Sequence, residues 1–174
     1  MADTPEIPEA KDRFETRVAI SIAVIAVILS WVSNYGDNAK TSALIKTNEA
    51  TNKWGHFQSK SIKEKLISAA LEIAVSGPGG SASVKDPEVL KRLEKEVERY
   101  ELEKIQIQHE AEALQAEAAI NLRVNDRCDS GGLMLQIAIV LASVAILARS
   151  HPLWIASLVL AAVGAVVGFS AYYV

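Results

Sequence analysis

Little in this sequence can do sulfur chemistry, stack on a nucleobase or attract a polyanion. Cys128 is the one cysteine in 174 residues, which excludes an intrachain disulfide and any CxxC site. Aromatic residues make up 6% of the chain, too few for the stacking platforms that bind single-stranded nucleic acid. The formal net charge is −3, so no strongly basic field exists to draw in nucleic acid. Helix breakers are also scarce. Neither proline nor glycine occurs between Pro87 and the pair Gly131 and Gly132.

Charge is missing from three long stretches, and this decides the class of the chain. Val18 to Ser33, Gly131 to Ala148 and Pro152 to Val174 contain no Asp, Glu, Lys, Arg or His, and are 16, 18 and 23 residues long. A bilayer core about 30 Å thick is crossed by roughly 20 apolar helical residues, so each run is a candidate span. Asn34 and Tyr35 extend the first into the headgroup layer. The first run reads as an uncleaved anchor rather than a signal peptide. Arg13 and Arg17 precede it, but so do Asp3, Glu6, Glu9, Asp12 and Glu15. No small-x-small cleavage site follows.

The expected organisation follows from the breakers and caps. Residues 1–11 read as a flexible tail with Pro5, Pro8 and several acids. Residues 12–35 form the first transmembrane helix. Residues 36–130 form an extramembrane helical hairpin that holds 14 Lys and Arg against 16 Asp and Glu. Its loop covers 77–85: Gly77 suits a helix C-cap and Pro78 cannot continue the helix. Asp86 and Pro87 then supply an N-cap and a first-turn proline. Residues 131–149 form the second span, and residues 152–174 the third.

Alternating steps of four and three along the second hairpin helix meet Leu93, Val97, Tyr100, Lys104, Ile107, Ala111, Leu114, Ala118, Asn121, Asn125 and Cys128, a heptad seam. The expected opposing stripe on the first helix is Leu44, Thr51, Gly55, Ile62, Leu66, Ala69 and Ile73. With Asn34 and Ser130 at one membrane level, Trp54 should stand near Ala111. A second apolar stripe, Leu102, Ile105, Ala113, Ala116, Ile120 and Val124, lies roughly opposite the seam at about 100° per residue. Trp54 and Phe57 fall off the expected face of the first helix. Apolar surface left exposed in this way marks an interface, and identical subunits are the commonest partner.

Candidate chemistry is sparse. His56 and His109 fall at similar heights, but neither has a third or fourth ligand at metal-site spacing. The glycine-rich stretch from Gly77 lacks the Gly-Lys-Ser/Thr of a phosphate loop and follows a helix. The glutamates between Glu94 and Glu103 alternate with Lys95 and Arg99, as on a solvated, salt-bridged helix face. No activating base neighbours Cys128. Gln136 is the one strongly polar side chain of the second span, and no span carries the acid or base of a proton relay. Gly164 and Gly168 form a GxxxG, suited to close helix contact within or between subunits.

The stretches from Glu6 to Ala19, from Lys53 to Lys63 and from Leu135 to Leu147 together resemble a family of bacterial membrane proteins, domain of unknown function 4337. Trp54 to Lys60 is the most specific piece, and the resemblance covers nearly the whole chain. It implies three spans and a bacterial inner-membrane location. The family carries no established activity, so no functional residue is transferred.

The expectation is therefore an all-α membrane protein: three transmembrane helices with a long antiparallel coiled-coil hairpin between the first and second spans. Its partners are the lipid bilayer, further copies of itself and another membrane protein, with no nucleic acid. Its proposed interface is Trp54, Phe57, Leu102, Ile105, Ile120, Gly164 and Gly168. No catalytic, cofactor-binding or metal residue is expected, nor any enzymatic activity. The reading is an oligomeric structural or interaction module. The alternative is an oligomeric channel or an accessory subunit of a transport complex. Lys11, Arg13, Arg17 and Arg149 flank the spans on one side, and Lys40, Lys46, Arg123 and Arg127 on the other. Charges in short flanks weigh most, which favours a cytoplasmic N-terminus and a periplasmic hairpin.

Overall fold

A computed structural model describes residues 9–76 and 87–173. The first eight residues of the expected tail, the loop 77–85 and the Asp86 cap lie outside the described residues. Among the described residues the chain is all helix, without strands: α1 (Glu9–Ser76), α2 (Pro87–Ala148) and α3 (His151–Phe169), followed by a 3-10 turn (Ser170–Tyr173). Each of the three helices contains a segment long and apolar enough to cross a membrane. α1 starts at Glu9, three residues before the expected Asp12, because Glu9, Ala10 and Lys11 are themselves good helix formers.

Three glycines lie inside the helices without interrupting them. Glycine inside a helix costs about 1 kcal/mol relative to alanine, yet Gly36, Gly131 and Gly132 are all buried and helical. At Gly36 a β-carbon would come within 2.8 Å of the Cys128 Cβ. At Gly131 it would strike the backbone of Gly164 and Gly168. These positions bring helix axes together where no side chain fits.

The chain divides into two compact units, Met1–Ser42 with Ile120–Val174, and Ala43–Ala119. The first unit is built on the apolar segments. Ile25, Val32, Cys128, Leu135, Ala138, Ala161 and Ala171 form its core, with Leu29, Tyr35 and Leu158 packed against it. On α2, the fully buried Leu135, Ala138, Ala142 and Ala145 recur every three or four residues, so one side of that helix is closed by small side chains. α2 and α3 are joined by a tight turn. Arg149 takes a left-handed φ of 50°, and the Ser150 amide donates back to the Ala145 carbonyl at 3.1 Å. Pro152 occupies the first turn of α3, where a missing N–H costs nothing. At the other end of α3, the Arg127 guanidinium donates to the Ser170 carbonyl at 3.3 Å, satisfying one of the acceptors a helix end leaves free.

The second unit contains the charged stretches of α1 and α2. On α2 the sheltered positions include Leu93, Val97, Tyr100, Lys104, Ile107, Ala111, Leu114 and Ala118, the seam expected from the sequence, together with Leu90, Glu96, Glu103 and Glu110. On α1 the expectation fails. Leu44, Ile62, Leu66 and Ile73 are 57 to 69% exposed, and Thr51, Gly55 and Ala69 are exposed as well. The sheltered stripe is instead Ala43, Lys46, Ala50, Lys53, Phe57, Lys60, Glu64, Ile67 and Leu71, spaced by alternating threes and fours, with Trp54 and Ser61 half-buried beside it. The physical reason is that lysine stems are apolar, and each lysine of this stripe has a glutamate of α2 to neutralise its head group.

Candidate functional site

The seam of the second unit is a ladder of charge. Lys46 pairs with Glu117 at 3.0 Å, Lys53 with Glu110 at 2.5 Å, and Lys60 with Glu103 at 2.5 Å. Each step of seven residues up α1 meets a step of seven down α2, the period of a heptad. Lys104 and Glu64 add a pair of reversed polarity, and its side chains are the most sheltered of the four, 20% and 15% exposed. The Lys60 and Lys53 hydrogen bonds hold the Glu103 and Glu110 carboxyls below their ordinary range, Gln106 assisting at Glu110. The Glu117 hydrogen bond raises Lys46 above its ordinary value. Half-exposed ion pairs contribute little to stability, so the ladder acts mainly on register: a one-heptad slip leaves a rung at one end unmatched, and smaller slips separate every rung. The Lys60 head group also lies 5.0 Å from the Tyr100 ring centre, and the Lys104 head group 6.0 Å from that of Phe57.

Each sequence-chosen interface residue has a definite place. Leu102, Ile105 and Ile120 are exposed, at 64, 59 and 50%. Trp54 and Phe57 are half-buried rather than exposed and meet edge to face with centroids 5.5 Å apart. Gly164 and Gly168 are buried inside the first unit. A β-carbon on Gly164 would lie 2.9 Å from the Met134 Cβ, and one on Gly168 would lie 3.0 Å from both methyls of Val32. The GxxxG of α3 is therefore occupied by α1 and α2 of the same chain. The exposed stripe of α1, Leu44 to Ile73, does not read as a surface in the sequence, because its hydrophobic residues resemble a seam. The seven-residue spacing of Lys46, Lys53 and Lys60 against Glu103, Glu110 and Glu117 was the available signal.

Two aromatic clusters lie at opposite ends of the first unit's apolar part of α1. At one end Phe14 stacks on His151 at 4.3 Å and meets Trp154 edge-on at 6.0 Å. The Trp154 indole N–H donates to the Ser21 hydroxyl at 3.4 Å. At the other end Trp31 stacks on Phe169 at 4.9 Å and Tyr35 on Tyr172 at 4.7 Å. From Phe14 to Trp31, α1 rises by about 26 Å at 1.5 Å per residue.

Titratable groups elsewhere do not converge. Cys128 is buried, and burial pushes its thiol up, with Asp129 adding to the effect. Asn125 is 5% exposed and donates to Asp129 at 3.0 Å. A recess of about 250 Å³ is lined by Ser33, Cys128, Asp129, Gly132, Leu133 and Gln136. His56 and His109 are both exposed. Among the described residues no group of three or more His, Cys, Asp and Glu is arranged to hold a metal ion.

A family model, Domain of unknown function (DUF4337), matches residues 14–174. The chain belongs to that family. The match takes in α2, α3 and all of α1 except its first five residues, and with them the ion-pair ladder and both aromatic clusters. No curated protein and no solved structure matches the chain.

Proposed function

We propose that this member of the family is a three-span protein of the bacterial inner membrane whose charged segments form an antiparallel coiled-coil hairpin, and that the hairpin is an oligomeric structural or protein-interaction module, not an enzyme. The observation that carries the reading is the outward face of the second unit. On a stretch rich in Lys and Glu, the side chains of Leu44, Ile62, Leu66, Ile73, Leu102 and Ile105 are all more than half exposed. Apolar side chains repeated along a helix in water are covered in the working state. The falling numbers of the ladder partners support the antiparallel pairing. The aromatic clusters support the membrane reading, since Trp and Tyr collect at both headgroup layers and about 26 Å is close to the thickness of a hydrocarbon core.

Mass measurement of the intact chain in mild detergent tests this function. An assembly of several 18.8 kDa chains is expected. A single chain at all concentrations, with no co-purifying membrane protein, overturns it. For topology, the charge distribution favours a cytoplasmic N-terminus and a periplasmic hairpin. Cys128 is too buried to label well, so the test is Ser68→Cys in a Cys128→Ala background with a membrane-impermeant thiol reagent. Labelling only from the cytoplasmic face reverses the orientation.

The second reading, a channel or accessory transport subunit, is favoured by the recess at Ser33, Asp129 and Gln136, a polar notch beside apolar helices. Ion flux through liposomes carrying the purified chain, abolished by Gln136→Leu, would support it over the scaffold.

A further inference from the structure

A polar side chain within an apolar stretch needs a partner, because hydrocarbon supplies none. Ser143 and Ser157 find theirs in their own helices. Ser143 donates to the Ile139 carbonyl at 2.9 Å, and Ser157 to the Trp154 carbonyl at 2.7 Å. Gln136 finds none. Its side chain is exposed, and its amide makes no hydrogen bond with any described residue.

Gln136 lies inside the apolar layer rather than at its edge. A β-carbon on Gly132 would meet Leu29 and Ser33, so Gly132 stands level with Trp31, midway between them. On the membrane reading above, Trp31 and Tyr35 lie in the headgroup layer. Gln136, four residues further along α2, is then about 6 Å deeper at 1.5 Å per residue. The surface around it has the spacing of a helix seam. Leu133, Gln136, Val140, Ser143 and Leu147 are all exposed and follow one another in steps of three and four. On the opposite side of α2, Leu135, Ala138, Ala142 and Ala145 are fully buried. The first unit therefore packs behind this stripe and leaves it open.

We propose that the stripe is a contact between copies of this chain inside the membrane, α2 against α2, with the Gln136 amide of one copy hydrogen-bonded to that of the next. An amide carries both N–H donors and a carbonyl acceptor, so a copy of itself satisfies it. Copies anchored in one orientation in one bilayer hold Gln136 at one depth. Rotation about an axis normal to the membrane then brings the amides together. A lipid tail offers no donor or acceptor, and a different protein would need a polar group at the same depth. The neighbouring stripe residues, Leu133 and Val140, are apolar and meet their own copies without penalty. Asp129, one heptad towards the Trp31 end, falls at the membrane edge, where water and salt screen its charge. The proposal rests on the membrane reading and deepens the oligomeric one by naming a contact within the spans.

The test is disulfide cross-linking of the full chain in membrane vesicles, in a Cys128→Ala background. Single cysteines are placed at Val140 on the stripe and at Val163 on α3, which are 61 and 46% exposed. Oxidation is expected to give linked dimers of Val140→Cys and few of Val163→Cys. Adding Gln136→Leu to Val140→Cys should cut the dimer by roughly fivefold or more. Gln136→Asn keeps the amide and should retain most of it. Gln136 is outside the unit's core, so either substitution leaves the fold of the chain intact. Equal yields at the two positions, or a Val140→Cys dimer untouched by Gln136→Leu, overturns the proposal. A chain that is oligomeric by mass yet gives no Val140→Cys dimer overturns it and leaves the oligomeric reading standing. A chain that gives no dimer in vesicles and is an 18.8 kDa monomer in detergent overturns both.

Discussion

Gly131 and Gly168 pack backbone to backbone: a β-carbon on Gly131 would lie 2.6 Å from the Gly168 amide nitrogen and 2.8 Å from its Cα. No flexible side-chain tip is there to yield. Gly131→Ala should therefore cost about 1–3 kcal/mol, the range for overpacking a tight interior, outweighing alanine's helix advantage. Gly132→Ala is the control. Its β-carbon would meet only Leu29 and Ser33, at 3.7 and 3.9 Å, so it should match or slightly exceed the parent. Thermal unfolding in detergent separates them. Equal losses at both positions would contradict the packing described. Gly168→Leu should also lower stability, since it drives its side chain into Val32.

The ladder predicts reciprocal rescue. Lys53→Glu sets a carboxylate against Glu110, and Glu110→Lys sets an ammonium against Lys53. Each should lower the melting temperature by roughly a few degrees. The combined swap restores opposite charges and should recover most of the loss. Melting curves of the four proteins form a double-mutant cycle, and a double variant no better than the worse single would show that the rung carries no coupling.

Acid should weaken the same seam. Glu103 and Glu110 have folded-state pKa values below their ordinary range. Their contribution is therefore fully present above the unfolded value, near pH 4, and is lost as pH falls through the lower folded value. Lys46 is raised, so its contribution holds below its ordinary value and fades at still more alkaline pH. Stability followed by circular dichroism should be flat across neutral pH and fall below about pH 4. Glu103→Gln together with Glu110→Gln should flatten the acid limb.

Among the described residues, Arg149 is the non-glycine residue with a left-handed backbone, at φ 50°, in the turn between α2 and α3. L-residues with a β-carbon pay roughly 1 kcal/mol there, and glycine pays little of it. Arg149→Gly should stabilise the folded chain by up to about 1 kcal/mol. Arg149→Val, branched at Cβ, should destabilise it. Thermal melts in one detergent check the order Gly, Arg, Val, from most to least stable.

Much of this was legible in the sequence. The three apolar stretches are visible because hydropathy belongs to each residue by itself, and here it stays high over segments long enough to cross a membrane. The seam of α2 was readable residue by residue from Leu93 to Cys128, because Leu, Ile and Ala recur there at alternating threes and fours. The spacing of Gly164 and Gly168 announced close packing. Which helix they would meet was not visible, because a GxxxG serves contacts within and between subunits equally well.

The face of α1 was decided by tertiary structure alone. Taken by itself, α1 offers two stripes, and the more hydrophobic one, Leu44 to Ile73, is the exposed one. The sheltered stripe carries Lys46, Lys53 and Lys60, which a single-helix pattern counts as polar and assigns to water. Only the neighbouring helix supplies Glu117, Glu110 and Glu103 at matching heights to neutralise them. The lysine stems then pack in the seam beside Ala43, Ala50 and Phe57. Where helices run and which stretches are apolar follow from each residue's own preferences, so both could be read from the chain before it folded. Which stripe turns inward depends on the partner across the seam, so it was decided only when α1 and α2 came together.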